Sequence, residues 1–129
     1  LQGTCYLLGG LADHAVCEGI AGRVPGVHNL CGKHSLPETG SILSQMDLAI
    51  TVDTGPMHMA AALGIPVIAV FGPTDPGRTG PYGDRHRVVQ TQDLPCQPCF
   101  SRTCSRGDLA CLERIQPDQI VLAANELLA

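Results

Sequence analysis

Two unbroken apolar runs bracket a short helix-forming segment in the middle of this chain, and that arrangement leaves few folds open. Residues 48–52 read Leu-Ala-Ile-Thr-Val and residues 67–70 read Val-Ile-Ala-Val. Each is too short for a buried helix and rich in β-branched residues, so each is expected as a strand covered on both faces, as in parallel sheets. Between them Thr54 suits an N-cap, Pro56 falls in a first turn, and Gly64 closes a helix expected over 56–63. Ala60, Ala61 and Ala62 give that helix a slim body that can press close to a sheet. Strand, helix and strand in this order imply a right-handed crossover between parallel strands.

The same alternation runs back toward the start. Cys5, Tyr6, Leu7 and Leu8, ended by Gly9-Gly10, read as a buried strand and its turn. Asp13 is placed to cap a helix to about residue 23, with Val16 and Ile20 on one face and Gly19 and Gly22 weakening it. Pro25-Gly26 breaks the chain before a second strand over 27–30. Ser35 and Glu38 have capping-box spacing around Pro37, opening a helix to about residue 45 whose apolar face is Ile42, Leu43 and Met46. The class is therefore α/β. After Gly83 the pattern changes to a brief strand over 87–90, an irregular cysteine-rich loop over 94–111 and an amphipathic helix over 117–128. That helix carries Ile120, Val121, Ala124, Leu127 and Leu128 at helical spacing.

Composition narrows the possibilities. The 129 residues suit one domain, expected over 1–129, and with 44% hydrophobic and 16% charged residues the chain should fold around a real core. Two Phe, two Tyr and no Trp make that core aliphatic. A net charge of −4, with eight scattered Lys and Arg, argues against nucleic acid as a partner. No apolar run approaches a membrane span, and no basic, signal-like start is present. Seven cysteines, an odd number, fit a reducing compartment better than a disulfide framework. The chain enters a strand almost at once from Leu1, so a fragment of a longer protein is expected.

Asp53-Thr54-Gly55-Pro56-Met57-His58 stands where a strand ends and a helix begins. Open α/β sheets hold ligands at strand carboxyl ends, and a helix start offers free N–H groups and a dipole favouring an anion such as phosphate. Gly55 permits close backbone approach, and the Thr54 hydroxyl with nearby amides can grip a diphosphate. His58 can add a donor, and Asp53 can accept hydrogen bonds from sugar hydroxyls. The same residues also spell an ordinary capped helix with a surface histidine. Gly72-Pro73-Thr74-Asp75 either closes over a ligand from the neighbouring strand or only ends that strand rigidly. Arg78 is expected to be exposed, with phosphate contact the alternative. Cys96, Cys99, Cys104 and Cys111 could bind zinc or an iron–sulfur cluster, but paired Cys-x2-Cys knuckles are missing and reduced, packed thiols fit better. Cys5, Cys17 and Cys31 lie on element patterns and read as core.

Residues 53–58, followed by Ala60-Ala61-Ala62-Leu63-Gly64-Ile65-Pro66-Val67 and then Phe71-Gly72-Pro73-Thr74-Asp75-Pro76, resemble glycosyltransferase family 9. Its members include the ADP-heptose:lipopolysaccharide heptosyltransferases. Gly9-Gly10, Ser35-Leu36 and the cysteine tail fall in the expected order, so the resemblance spans nearly the whole chain. It implies a GT-B enzyme with two Rossmann-like halves and an active site in the cleft between them. This chain is similar to most of the C-terminal half, with a Rossmann-like parallel sheet and helices on both faces. By that similarity Asp53 holds the donor sugar and Thr54, Gly55 and His58 contact the diphosphate beside Pro56, while Gly72 and Thr74 are the candidates to close over the diphosphate or sugar from the neighbouring strand. The turn near Gly10 and Asp13 approaches the ribose, and His34, Ser35 and Leu36 border the adenine. His34 departs from the Thr or Met expected there and also reads as a solvated loop histidine.

The implied reaction is inverting transfer of heptose from ADP-heptose to the lipopolysaccharide inner core. An acceptor hydroxyl attacks the anomeric carbon while ADP leaves, its charge met by the helix end at Gly55. The general base is expected in an N-terminal half outside this chain, which would be a partner domain of the same protein. No cofactor is implied, and no Asp-x-Asp pattern for a divalent ion occurs. Localisation is expected to be cytoplasmic, peripheral at the inner membrane face. The alternatives are a nucleotide-sugar epimerase of the same fold, a non-catalytic module built on the four tail cysteines, and an inactive homologue.

Overall fold

A computed structural model describes residues 2–129, which form two compact units, one ending at Ile42 and one spanning Leu43–Ala129. In the first, β1 (Cys5–Leu7) leads through a 3-10 turn (Leu11–Asp13) into α1 (His14–Ala21), and β2 (Val27–Asn29) follows. The strands pair in parallel, Cys5 opposite Val27 and Leu7 opposite Asn29, as the crossover argument requires. α2 (Leu36–Leu43), whose last residue opens the second unit, follows with the expected capping box. Ser35 Oγ accepts from the Glu38 amide at 3.3 Å and Glu38 Oε1 accepts from the Ser35 amide at 3.1 Å.

Several local expectations change here. Asp13 is the backbone N-cap of α1, yet its carboxylate caps no α1 amide and instead accepts from Gly10 N at 2.9 Å. The better-covered face of α1 is His14, Cys17 and Ala21, while Val16 and Ile20 are exposed. α2 stops at Leu43, where Met46 N turns back to the Leu43 carbonyl. Of the three cysteines read as core, Cys31 is buried, Cys17 half-buried and Cys5 exposed. Cys5 lies on β1, whose three residues are exposed, exposed and half-buried.

The second unit holds β3 (Ala49–Val52), α3 (Gly55–Ala62), β4 (Val67–Phe71), α4 (Pro76–Thr79), β5 (His86–Gln90), α5 (Ala110–Glu113) and α6 (Pro117–Leu128). Its sheet is parallel throughout in the order β3-β4-β5, with Ala49 opposite Val67 and Val67 opposite His86. The described strands therefore make two parallel sheets rather than one continuous sheet.

β4 is the centre of this unit: Val67, Ile68, Ala69 and Phe71 have no exposed surface. Burying a side chain such as Phe71 contributes roughly 1.5–3 kcal/mol. α3 contributes Met57 and Ala60 to the core, and α6 contributes Ala123 and Ala124, packed with Ile68, Val89, Ile120 and Leu127. Val121 and Leu128 lie outside that face. β3 does not have the cover expected on both faces, since Ile50 and Val52 remain 54% and 52% exposed. Its alternate residues, Ala49 and Thr51, are half-buried. Loop 94–111 is irregular up to α5, with a cis Gln97–Pro98 bond and Phe100 and Leu109 in the left-handed region.

Candidate functional site

The bend after β3 lies at the carboxyl end of its strand and at the surface. Thr54, Gly55 and His58 are exposed and Asp53 and Pro56 half-buried. Thr54 has the extended backbone of an N-cap, φ −147° and ψ 169°, but caps no amide with its side chain. Its hydroxyl turns back to the Val52 carbonyl and to Thr51 Oγ1, both at 3.3 Å. Pro56 has no N–H, so the orphan donors of the first turn are those of Gly55 and Met57. A Cβ built on Gly55 would meet no heavy atom within 4 Å. Nothing in the protein's own packing calls for glycine there. Its missing side chain leaves the amides open from outside, in a helix of eight residues whose dipole favours an anion.

Asp53 stands beside these amides and is already engaged. Its Oδ2 accepts from Thr79 Oγ1 at 2.8 Å, which links the bend after β3 to the end of α4. Thr79 carries no motif signal in the sequence and lies 26 residues from its partner. Thr74 is half-buried and lines a cavity of about 550 Å³ with Asp75, Gln90, Thr91, Asp93, Leu94 and Gln97 among others. Asp53, Thr54, Gly55 and His58 do not line that cavity.

Gly72 has a second duty that the motif did not disclose. A Cβ there would come within 2.8 Å of Leu112 Cδ2 and 3.5 Å of Cys111 Sγ, so glycine lets α5 pack against the loop. The Gly72 carbonyl accepts from Gln97 Nε2 at 2.6 Å, and the Pro73 carbonyl from Phe100 N at 2.9 Å. The exposed Arg78 guanidinium lies 5.2 Å from the Phe100 ring centroid. The cysteine-rich loop thus clasps the loop after β4.

All four tail cysteines are free thiols, and no described group of three or more His, Cys, Asp or Glu side chains is disposed to hold a metal. Backbone amides, that of Leu109 foremost, hold the Cys104 thiol below its ordinary pKa, while burial pushes the Cys111 thiol up.

The proposed nucleoside residues lie in the first unit. Gly10 donates to Asp13, and a Cβ on Gly9 would stand 2.7 Å from Asp13 Oδ2, so this turn is built on close approach. His34 Nδ1 lies 3.6 Å from Glu38 Oε2. The Ser35 hydroxyl, then its amide and His34, hold the Glu38 carboxyl below the usual range. Ser35 is committed to the α2 cap, and the Leu36 side chain is 63% exposed.

A family model, "Glycosyltransferase family 9 (heptosyltransferase)", matches residues 2–110. The chain belongs to glycosyltransferase family 9. It is 33% identical over 102 residues to lipooligosaccharide heptosyltransferase 2 of Campylobacter jejuni, covering 79% of this chain and 32% of that protein. A family 9 glycosyltransferase structure from Veillonella parvula matches with TM-score 0.82 at 26% identity, over 97% of this chain and 36% of that one. The E. coli heptosyltransferase WaaC, solved with ADP, matches with TM-score 0.72 at 27% identity, over 96% and 34%. The chain thus spans about a third of the length of the relatives it matches. Its parallel strands and flanking helices are those of the C-terminal, GT-B type half.

Proposed function

We propose that this chain is the donor-binding part of an inverting heptosyltransferase, which moves heptose from ADP-heptose to the lipopolysaccharide inner core. The observation that carries the reading is the open bend after β3, with the unblocked Gly55 amide next to the half-buried Asp53 carboxylate. Membership of family 9 supports it, as do relatives named for heptosyltransfer and a structural neighbour solved with ADP. In this reading the Gly55 end of α3 and His58 take the diphosphate, and Thr54 and Pro56 set the shape of the bend. Asp53 accepts hydrogen bonds from sugar hydroxyls. Gly72 and Thr74 border the ligand from the next strand, and Gly10, Asp13, His34, Ser35 and Leu36 form the nucleoside-binding set of the first unit.

The chemistry assigned to this chain is leaving-group stabilisation. As the anomeric bond breaks, negative charge grows on the diphosphate. Fixed amides and a helix start meet it without reorganisation, the helix dipole alone contributing roughly 0.3–1 kcal/mol, and up to ~2 where partly buried. No resident cofactor is needed. The base that deprotonates the acceptor is assigned to the rest of the enzyme. No described helix is long and apolar enough to cross a membrane. The proposed location is cytoplasmic, peripheral at the inner membrane face.

Calorimetry of the full-length enzyme with ADP-heptose, ADP and UDP tests the reading. ADP-heptose should bind more tightly than ADP, and UDP more weakly than either. Asp53→Ala should remove the sugar-dependent part of the affinity and leave ADP binding nearly unchanged. Equal weak binding of all three ligands overturns the donor assignment. An equal fall for ADP and ADP-heptose in the variant reduces Asp53 to a loop-shaping role.

A further inference from the structure

We propose that Thr79 is the positioning residue for Asp53, fixing which carboxylate oxygen is presented to the donor sugar; the inference rests on the reading of Asp53 given above. Thr79 ends α4, which is tied down on several sides. Asp75 Oδ1 accepts from Gly77 N at 2.8 Å. The Asp75 carbonyl accepts from Arg78 N and Thr79 N at 3.0 and 3.1 Å, and Gly80 N returns to the Pro76 carbonyl at 2.9 Å. Gly80 has no room for a side chain, since a Cβ there would collide with that carbonyl. Arg78, the neighbour of Thr79, lies over the Phe100 ring. The Thr79 hydroxyl is therefore delivered from a fixed backbone.

That hydroxyl has two acceptors in reach, Asp53 Oδ2 at 2.8 Å and the Asp75 carbonyl at 3.3 Å. Its single proton goes to the shorter, charge-assisted contact. An ionised carboxylate only accepts, with about four lone-pair directions over its two oxygens. With Oδ2 held by Thr79, the carboxylate plane is set and Oδ1 is left for sugar hydroxyls. Without the tether, Asp53 is a side chain at a strand end, beside an open bend, with no other hydrogen bond among the described residues to hold its rotamer. The contact also couples the loops after β3 and β4, adjacent strands of one sheet. Thr79 touches no reacting atom in this scheme and acts through Asp53.

The test compares Thr79→Val, Thr79→Ser, Asp53→Ala and Thr79→Val/Asp53→Ala in the full-length enzyme, with ADP and ADP-heptose affinities measured for each. Thr79 is exposed, so the effect belongs in the range of ordinary hydrogen bonds, below that of buried charged ones: ADP-heptose affinity should fall roughly 3- to 10-fold in Thr79→Val. ADP affinity should hold, Thr79→Ser should restore the wild-type ratio, and the valine should have no further effect once Asp53 is alanine. A merely structural role would move both ligands together and persist in the double variant, which overturns the proposal. If Asp53→Ala lowers sugar-dependent affinity but Thr79→Val does not, the tether fails and the Asp53 reading stands. If Asp53→Ala has no such effect, both fall.

Discussion

Asn29 is the residue on which the first unit should depend most. Only Asn29 and Cys31 are buried among its described residues, so apolar burial contributes little and a polar hub replaces a core. Asn29 Nδ2 donates to Glu18 Oε2 at 2.8 Å and to the His14 carbonyl at 3.1 Å, while Oδ1 accepts from Cys31 N at 3.0 Å. Asn29→Ala strands the Cys31 amide in a site that is 1% exposed, costing about 1–3 kcal/mol. The Glu18 carboxylate is exposed and simply rehydrates, so its loss adds less than 1 kcal/mol or so. A total of about 1–4 kcal/mol is a large share of the ~5–15 kcal/mol that holds a typical domain. Asn29→Asp keeps an acceptor for Cys31 but faces Glu18 with a second carboxylate. Native-state hydrogen exchange reads the unit separately through Leu30 and Gly32, whose amides donate to the Leu7 and Gly9 carbonyls. Exchange at those two amides within about 0.5 kcal/mol of wild type in Asn29→Ala would refute the hub argument.

Two further outcomes are expected. Gly72→Ala should lower thermal stability by the equivalent of about 1 kcal/mol, because the added methyl meets Leu112 Cγ and Cδ2 at 2.9 and 2.8 Å and Leu112, 39% exposed, can swing away; an unchanged melting temperature contradicts this packing. Native alkylation near neutral pH, followed by peptide mass spectrometry, should label Cys104 well before Cys111 and leave Cys31 for last. Amides favour the Cys104 thiolate, whereas burial, then the Cys17 thiol, pushes Cys31 from its ordinary 9.0 to about 11. Because the folded value is the raised one, the Cys31 contribution to stability is complete below 9.0 and is lost as pH climbs toward about 11. Labelling of Cys31 as fast as the exposed Cys5 would disprove its burial.

What the sequence disclosed and what it hid follow a physical divide. Strands and helices were legible because their signals are local: β-branched runs at β3 and β4, the Ser35–Glu38 box on α2, and Pro117 opening α6 where expected. Burial was less legible, because a strand's cover depends on what lies beside it. Ile50 and Val52 have the composition of a two-sided strand and the exposure of a one-sided one. Helix faces slipped by a residue for a related reason: alanines at 123 and 124 take the innermost positions of α6 because a slim side chain allows the closest approach to β4 and β5. At the candidate site the motif marked Asp53 to His58, since a helix start after a strand is a local pattern. Thr79 was hidden because its partner lies 26 residues away and its neighbours Arg78 and Gly80 form no recognisable spacing. Gly72 read as part of a ligand-closing loop or of a rigid strand end, and its contact with Leu112 was hidden because it comes from a loop whose path no periodicity describes.

The behaviour of Thr54 ties these threads together. A threonine at an N-cap ordinarily accepts a hydrogen bond from a first-turn amide with its side-chain oxygen, and removing such a cap costs about 0.5–2 kcal/mol. Thr54 has the right backbone for this and does not do it; its hydroxyl is spent on Val52 and Thr51. The start of α3 is therefore left without the local satisfaction that Ser35 and Glu38 give α2 in the same chain. Departures from a local rule that the rest of a protein obeys tend to gather where a ligand completes the structure. An anion seated at Gly55 would supply the missing acceptor and meet the dipole at once, and Asp53, held from the far side by Thr79, would then be aimed at whatever that anion carries.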